Sequence, residues 1–500
     1  MPVQAHRYQR ERNAIVPVRT LANQAFSRAA GAPLVAGNGV RLLKDAKENY
    51  PAWLEAIAAA ERYVHFECYI VHEDDQGWSF AEALIKKARE GVKVRLIYDW
   101  LGGLGKTSRS FWKTLRAGGV DVRCYNPPRF DSPLGWVSRD HRKTLTIDGR
   151  IAFVTGLCIG RMWVGNPKKK LEPWRDTGIE VRGPAIAHIE DAFAHVWDLT
   201  GDELPPDEIY RPNAIGQAGD VALRVVASEP VSAGMLRVDQ LVATLARERL
   251  WLTDAYYAGT TSYVQALRAA ARDGVDVRLL VPNASDIPIL KPLSRAGYRP
   301  LLEAGVRVFE WNGTMLHAKT AVADSNWARV GSTNLNIASW FGNLELDVVI
   351  EDGPFAVEME ETYLNDLENA TEIVLDAKHK LRVPHRRAHL QPMTSGGGSG
   401  GRAAAGAVRI GNAVGAAFTN RRVLEPVESR IMVTAALLML GLAVLFWFFP
   451  RSLTYPLIVI LLWVSFALLY KASKLEILGE EEKKRERLEV AERRKEREGI

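Results

Sequence analysis

Between residues 40 and 378, apolar positions follow two alternating rhythms, and the whole succession runs twice. Short stretches rich in Val, Ile and Leu predict strands, and stretches with helical apolar spacing predict helices. "ALIKKAREGVKVRLIYD" (83–99) parallels "ALRAAARDGVDVRLLVP" (266–282), and "LRAGGVDVRCYN" (115–126) parallels "LEAGVRVFEWN" (302–312). Each copy reads helix, glycine, apolar strand, second helix, glycine, strand. The pattern predicts an α/β fold of two pseudo-symmetric halves, 40–205 and 218–378, each a mixed sheet flanked by helices.

A third pattern occupies the C-terminal region. "IMVTAALLMLGLAVLFWFF" (431–449) is nineteen residues without a charge, about 28 Å as a helix against a hydrocarbon core of ~30 Å. Pro450-Arg451-Ser452 interrupts it, and "LTYPLIVILLWVSFALLY" (453–470) follows. The expectation is a transmembrane helical hairpin over 431–470. Arg421, Arg422 and Arg430 precede it, Lys471, Lys474, Lys483, Lys484 and Arg485 follow, and only Arg451 lies in the turn. That asymmetry predicts both termini and both α/β halves on the cytoplasmic side. Residues 379–404, with "TSGGGSGGR", read as a linker, 405–430 as a segment able to lie in the interface, and 471–500 as a charged cytoplasmic tail. The N-terminal 1–39 is basic and lacks an apolar leader; "VRTLANQAFSRAAG" (18–31) reads as an amphipathic helix, lying on a bilayer or packed on the halves.

Candidate chemistry stands at corresponding places in the two halves. His141-Arg-Lys143-Thr-Leu-Thr-Ile-Asp148 and His317-Ala-Lys319-Thr-Ala-Val-Ala-Asp324 repeat one pattern, His-x-Lys-x-x-x-x-Asp. Both lie in β-branched, alternating stretches, and residues two apart on a strand share a face, so each His and Lys are expected to project together. Two imidazoles and two ammonium groups suit a metal-free exchange at phosphorus. One imidazole attacks, the other protonates the leaving oxygen, and the lysines hold the charged oxygens. Asp148-Gly149 is a hairpin signal, so Asp148 and Asp324, although part of the motif, are expected to shape turns or brace neighbours. One match arises by chance in a long chain; two in register favour catalysis over structural histidines. Duplicated halves packed around one cleft would bring His141 and His317 to a single phosphate.

Flanking segments extend the match: "TGLCIGRMW" and "PWRDTGIEVRGPAIAHIEDAF" within 155–193, and "GSTNLNIASWFGNLELDVVI" (331–350). With the motifs, they resemble the phospholipase D superfamily over 40–378 and, more closely, bacterial cardiolipin synthases. The resemblance implies a phosphohistidine intermediate, with His141 as nucleophile and His317 as general acid, then base. It implies that Lys143, Lys319 and Asn334 hold the non-bridging oxygens, and that an acidic residue further along each half, Asp176 and Glu345, orients an imidazole. Cys158 in "TGLCIG" stands where a small polar residue is expected. The implied reaction transfers a phosphatidyl group from one phosphatidylglycerol to another, releasing glycerol, at the bacterial inner membrane and without a cofactor.

Two other readings keep the same residues. With water as acceptor the site would be a phospholipase D, or a phosphodiesterase on nucleic acid; without chemistry, the chain would be a scaffold for anionic headgroups. The apolar C-terminal pattern favours lipid over nucleic acid, and the intact motifs weigh against a scaffold. A formal charge of +6 over 500 residues suits anionic partners without requiring nucleic acid. His-x-Lys offers a metal one ligand beside a repelling cation, and no Cys-x-x-Cys spacing occurs, so no metal is expected. Cys68, Cys124 and Cys158 read as buried free thiols. Two loops mix cations with aromatics: 161–175, with Lys168, Lys169 and Lys170 between Trp163 and Trp174, and 127–139. Both predict contact with lipid headgroups.

Overall fold

The computed structural model describes residues 18–129, 137–169, 171–209, 214–287, 290–375, 381–382 and part of 437–473. These fall into two units, one of Met1–Tyr125 with Ser138–Ala405, the other of Asn126–Val137 with Gly406–Ile500.

In the first unit, helix α1 (Val18–Ala30) precedes the first half. That half runs β1 (Val35–Lys44), α2 (Asp45–Ala58), β2 (Tyr63–Cys68), α3 (Asp75–Arg89), β3 (Lys93–Asp99), α4 (Trp100–Gly103), α5 (Arg109–Ala117) and β4 (Asp121–Tyr125). It continues with β5 (Arg139–Asp140), β6 (Lys143–Ile147), β7 (Ile151–Thr155), α6 (Arg161–Val164), β8 (Thr177–Arg182) and α7 (Ile186–Leu199). The second half repeats the order: β9 (Val221–Ser228), α8 (Gly234–Leu245), β10 (Arg249–Thr253), α9 (Thr261–Arg272), β11 (Asp276–Pro282), α10 (Leu290–Ala296), α11 (Tyr298–Leu302) and β12 (Arg307–Trp311). Then come β13 (Thr320–Ala323), β14 (Trp327–Gly331), α12 (Ile337–Phe341), β15 (Asn343–Glu351), α13 (Gly353–Glu368), β16 (Ala370–Leu375) and β17 (Leu381–Arg382).

The first sheet has the order β1-β8-β7-β6-β2-β3-β4, and the second matches it as β9-β15-β14-β13-β10-β11-β12, extended by β16. Parallel neighbours need a crossover, which α3 and α5 supply in one half and α9 and α11 in the other. The repeated glycines end those helices. Gly91 and Gly274 take φ of +94° and +95°, a left-handed turn that a side chain would resist. Every residue of β2 is buried, as expected of a strand covered on both faces.

Four apolar clusters hold the unit together, the smallest around Phe193, Trp197 and Leu344. One gathers Trp53, Phe66, Phe80 and Phe153 under the first sheet; another gathers Tyr263, Leu267, Leu279 and Trp340 under the second. The third joins the halves, with Ile179, Val181 and Ile189 meeting Ala328, Val330, Leu346 and Val348. β1 also pairs with β9 at Val35–Leu223, so the two sheets share an edge. Helix α1 packs on the second half: Phe26, Ala29 and Ala30 enter its core, and Arg224 donates to Ser27 Oγ at 2.7 Å. The amphipathic helix expected over 18–31 thus packs on the second half.

In the second unit, the described residues at 437, 440–441, 444–448, 451, 454–466 and 469–470 are helical, and their large apolar side chains are largely exposed. Among the described residues no helix is long and apolar enough to cross a membrane, so the expected pair of spans is not shown. Apart from Phe449, the remaining residues of 431–470 lie outside the described set, as do most of the linker 379–404, the segment 405–430 and nearly all of the tail 471–500.

Candidate active site

Both His-x-Lys segments leave their own sheets to reach the opposite half. The expectation was that each His and Lys share one strand, but β6 begins at Lys143 and β13 only at Thr320, after Lys319. The histidines sit on the approach. His141 N–H donates to Leu344 O at 2.9 Å, and His317 N–H to Arg175 O at 2.7 Å. Each histidine is thus tied to the residue preceding an acid, Glu345 or Asp176, of the other half.

The side chains complete this exchange. His141 Nδ1 lies 2.9 Å from Glu345 Oε2, and His317 Nδ1 lies 2.7 Å from Asp176 Oδ2. Strand register makes the two acids equivalent, because Ile179 pairs with Val154 as Val348 pairs with Val330. Both carboxylates are buried, held below their usual range by the imidazole and lysine beside them against the opposing effect of burial. Glu345 also accepts from Ser332 Oγ at 2.5 Å and Asn343 Nδ2 at 3.2 Å. Asp176 accepts from Trp163 Nε1 at 3.1 Å and from Thr177 N–H at 2.8 Å. An ionised acid against Nδ1 fixes the tautomer and makes Nε2 the nitrogen that can react.

Burial lowers the pKa of both imidazoles to about 4, helped by the like-charged lysines and resisted by the paired carboxylates. Lys319 depresses His141 and Lys143 depresses His317, so each lysine acts across the halves and the four groups share one electrostatic site. Lys143 Nζ donates to the His141 carbonyl, and Lys319 Nζ to the His317 carbonyl. Lys319 Nζ also lies 2.9 Å and 3.1 Å from the His317 ring nitrogens, and burial lowers its pKa to about 8. Aromatic walls close the site. Tyr69 meets the His141 ring edge-on at 4.8 Å, while Trp163, Trp174 and Tyr256 surround the His317 ring at 5.6 to 5.7 Å.

The other motif residues divide by position. Asp148 and Asp324 stand at the far ends of their strands, away from the histidines. Asp148 accepts the backbone N–H groups of Glu61, Arg62 and Tyr63, and Asp324 those of Arg247, Glu248 and Arg249. Their φ values are +54° and +49°, and Gly149 and Ser325 follow at +64° and +53°, so both hairpins turn in the left-handed region. Asn334 is buried; its Oδ1, an acceptor, has no hydrogen-bond partner, and its Nδ2 lies 3.5 Å from Ser339 Oγ with a second N–H that can donate to an anionic oxygen. Register places Cys158 at the equivalent point, so the first half presents a thiol where the second presents an amide. The Cys158 thiol is buried beside Cys68, whose Sγ lies 3.1 Å from Ile70 O.

Trp163 and Trp174 were expected at a headgroup boundary. They are instead 2% and 7% exposed and packed on His317, because the loop folds back over the site. Tyr69 and Tyr256 escaped the sequence reading; both follow the equivalent strands β2 and β10, and the repeat itself was the signal that could have found them.

A family model described as "Cardiolipin synthase, PLD-like domain" matches residues 53–197 and 242–367, bracketing both motifs and both acids. The chain belongs to the cardiolipin synthase family with phospholipase D-like domains. It is 33% identical over 345 residues to the cardiolipin synthase of Alkalihalophilus pseudofirmus, covering 68% of each chain. It is 34% identical to cardiolipin synthase A of Pseudomonas fluorescens, over 73% of this chain and 75% of that one. The fold is also that of the phosphatidylserine synthase of Haemophilus influenzae, with a TM-score of 0.56 at 14% identity, over 73% of this chain and 91% of that one.

Proposed function

We propose that this member of the family is a cardiolipin synthase, a phosphatidyltransferase that joins two phosphatidylglycerol molecules and releases glycerol. The observation that carries the reading is the reciprocal pairing of each imidazole with a carboxylate of the other half, beside two lysines. His141 Nε2 attacks the phosphorus of the first lipid, and the glycerol oxygen leaves with the proton held on His317. A phosphatidyl group then sits on His141. His317, now neutral, takes the proton from a hydroxyl of the second phosphatidylglycerol; that oxygen attacks phosphorus, and His141 departs unchanged.

The lowered pKa of His317 bears on the first step. In the empty site two ammonium groups disfavour a further positive charge. A bound phosphodiester anion offsets them and raises the proton affinity of His317 as the leaving oxygen needs it. Lys143, Lys319 and the Asn334 amide hold the non-bridging oxygens, and Glu345 and Asp176 stabilise each imidazolium. The apolar pattern of 431–470 supports a membrane hairpin that keeps the site on the cytoplasmic face of the inner membrane, next to its lipid substrates.

The test uses full-length protein with phosphatidylglycerol vesicles. Glycerol and cardiolipin form in equal amounts, and acid-labile phosphate is trapped on His141 but not in His141→Ala. Phosphatidic acid in place of cardiolipin assigns the chain to hydrolysis, and no turnover with intact lipid overturns the enzyme reading.

A further inference from the structure

Two surface features around His317 are apolar where water-facing positions are normally polar. Helix α12 turns Ser339 and Trp340 inward and leaves Ile337, Ala338 and Phe341 outside, so its solvent face carries no polar side chain. Trp340 pins it by donating to Asp239 at 3.3 Å. Beside it, Val231 is 82% exposed, and its N–H donates to Phe341 O at 3.1 Å. Val231 also takes φ of +71°, a strained setting for a β-branched residue, here one whose isopropyl group points away from any core.

The second feature is the hairpin of residues 161–175. Asn166 and Leu171 exchange backbone hydrogen bonds at 2.8 and 3.0 Å, and Trp174 N–H donates to Met162 O at 3.0 Å. Gly165, at φ +76°, lets the arms approach; a Cβ there would crowd Leu171 O and Pro173 N. The inner face of this hairpin is Trp163 and Trp174 against His317, while its outer flanks are Val164 and Leu171, both exposed. Between them the sequence reads Pro167-Lys168-Lys169-Lys170, and Lys168 is exposed.

Both features attach directly to the walls around His317. The hairpin does so through its two indoles. Helix α12 does so through Asn336, which donates to Tyr256 O at 2.9 Å, and the Tyr256 ring lies 5.7 Å from His317. Exposed apolar residues beside a functional cleft mark an interaction surface, and the exposed Lys168 among them favours a negatively charged one.

We propose that α12 with Val231 and the 161–175 hairpin, through Val164, Leu171 and Lys168, form the surface on which the catalytic unit seats against an anionic bilayer, apolar side chains in the headgroup region and Lys168 on a lipid phosphate. This rests on the phospholipid-transfer reading and adds to it how the substrate reaches His317, by passing from the bilayer into the site without crossing water. A second copy of the chain or a soluble protein would be a different occupant, and the test separates them.

The experiment uses the full chain reconstituted in phosphatidylcholine vesicles with and without phosphatidylglycerol, in a Cys124→Ser background, since Cys68 and Cys158 are buried. Leu171→Cys and Phe341→Cys each carry an environment-sensitive fluorophore, with Leu245→Cys as the control. Leu245 is exposed at the end of α8, just before residues 247–249, whose backbone N–H groups donate to Asp324 at the strand end away from the histidines. Headgroup-nitroxide lipid should quench the first two at least twofold more than the control, more strongly with phosphatidylglycerol present. Equal quenching at all three, or protection that grows with protein concentration and not with lipid, overturns the proposal. In parallel, Val164→Asp/Leu171→Asp and Ile337→Asp/Phe341→Asp should lose at least tenfold in turnover on vesicles but less than twofold on dispersed short-chain phosphatidylglycerol. Equal losses on both substrates count against docking. An unsubstituted chain that turns over neither substrate sinks the transfer reading, while the quenching still decides the surface.

Discussion

Glu345 and His141 come from different repeats, yet Glu345 Oε2 sits 2.9 Å from His141 Nδ1, and Asp176 returns the arrangement by holding His317 at 2.7 Å. A carboxamide in either place keeps the shape but removes the charge and can hold the wrong tautomer. Glu345→Gln and Asp176→Asn should each lower kcat by roughly 10²–10⁴-fold with a small change in KM. Steady-state kinetics on phosphatidylglycerol check this, and a loss confined to KM would assign these acids to substrate binding instead.

The histidines also predict how stability depends on pH. Folding lowers both imidazole pKa values from 6.5 to about 4, with burial as the main cause. As pH falls below about 6.5 the unfolded chain takes up these protons while the folded chain does not. Stability is therefore complete above that value and declines until about pH 4, by about 3 kcal/mol for each group at most. The two carboxylates, whose pKa values are lowered, add a further loss only at lower pH. Thermal unfolding at pH 7.5 and pH 5 should differ, and His141→Gln with His317→Gln should flatten the difference.

Gly156 faces Asp176 where, in the other repeat, Ser332 faces Glu345. A Cβ on Gly156 would overlap Asp176 Oδ1, so Gly156→Ala should displace the carboxylate from His317. Misplacement of this kind costs activity on the order of 10²-fold. The expected signature is a large fall in kcat with a modest fall in melting temperature; unchanged kcat would mean the strand yields.

The two motif aspartates should separate stability from chemistry. Asp148 is buried and satisfies three backbone N–H groups at 2.8 to 2.9 Å, so Asp148→Ala should cost about 3 kcal/mol or more. Asp324 makes the same contacts at a more exposed turn, and Asp324→Ala should cost about 1 kcal/mol. Denaturation and kinetics on the folded fraction check both; full loss of turnover in stable protein would place these carboxylates in the reaction.

The repeat was readable because its punctuation is local. Gly91 and Gly274 end equivalent helices, and Val- and Leu-rich runs follow each of them. His141, Lys143, His317 and Lys319 stood out for the same reason. Asp176 and Glu345 came from family resemblance, and their exchange between repeats stayed hidden, because a partner choice across 204 residues depends on how two finished sheets pack. The same limit explains Trp163 and Trp174. A loop of cations and indoles reads alike whether the rings face lipid or a catalytic imidazole, and only the fold-back of the hairpin decides it.

The crossing of acids and imidazoles has a consequence for the history of the molecule. Neither copy of the duplicated unit owns a finished catalytic pair, so a chain severed between β8 and β9 would yield two pieces, each with an orphaned imidazole. Selection acting on one copy is felt by chemistry seated in the other, and the duplicates are bound to evolve in step.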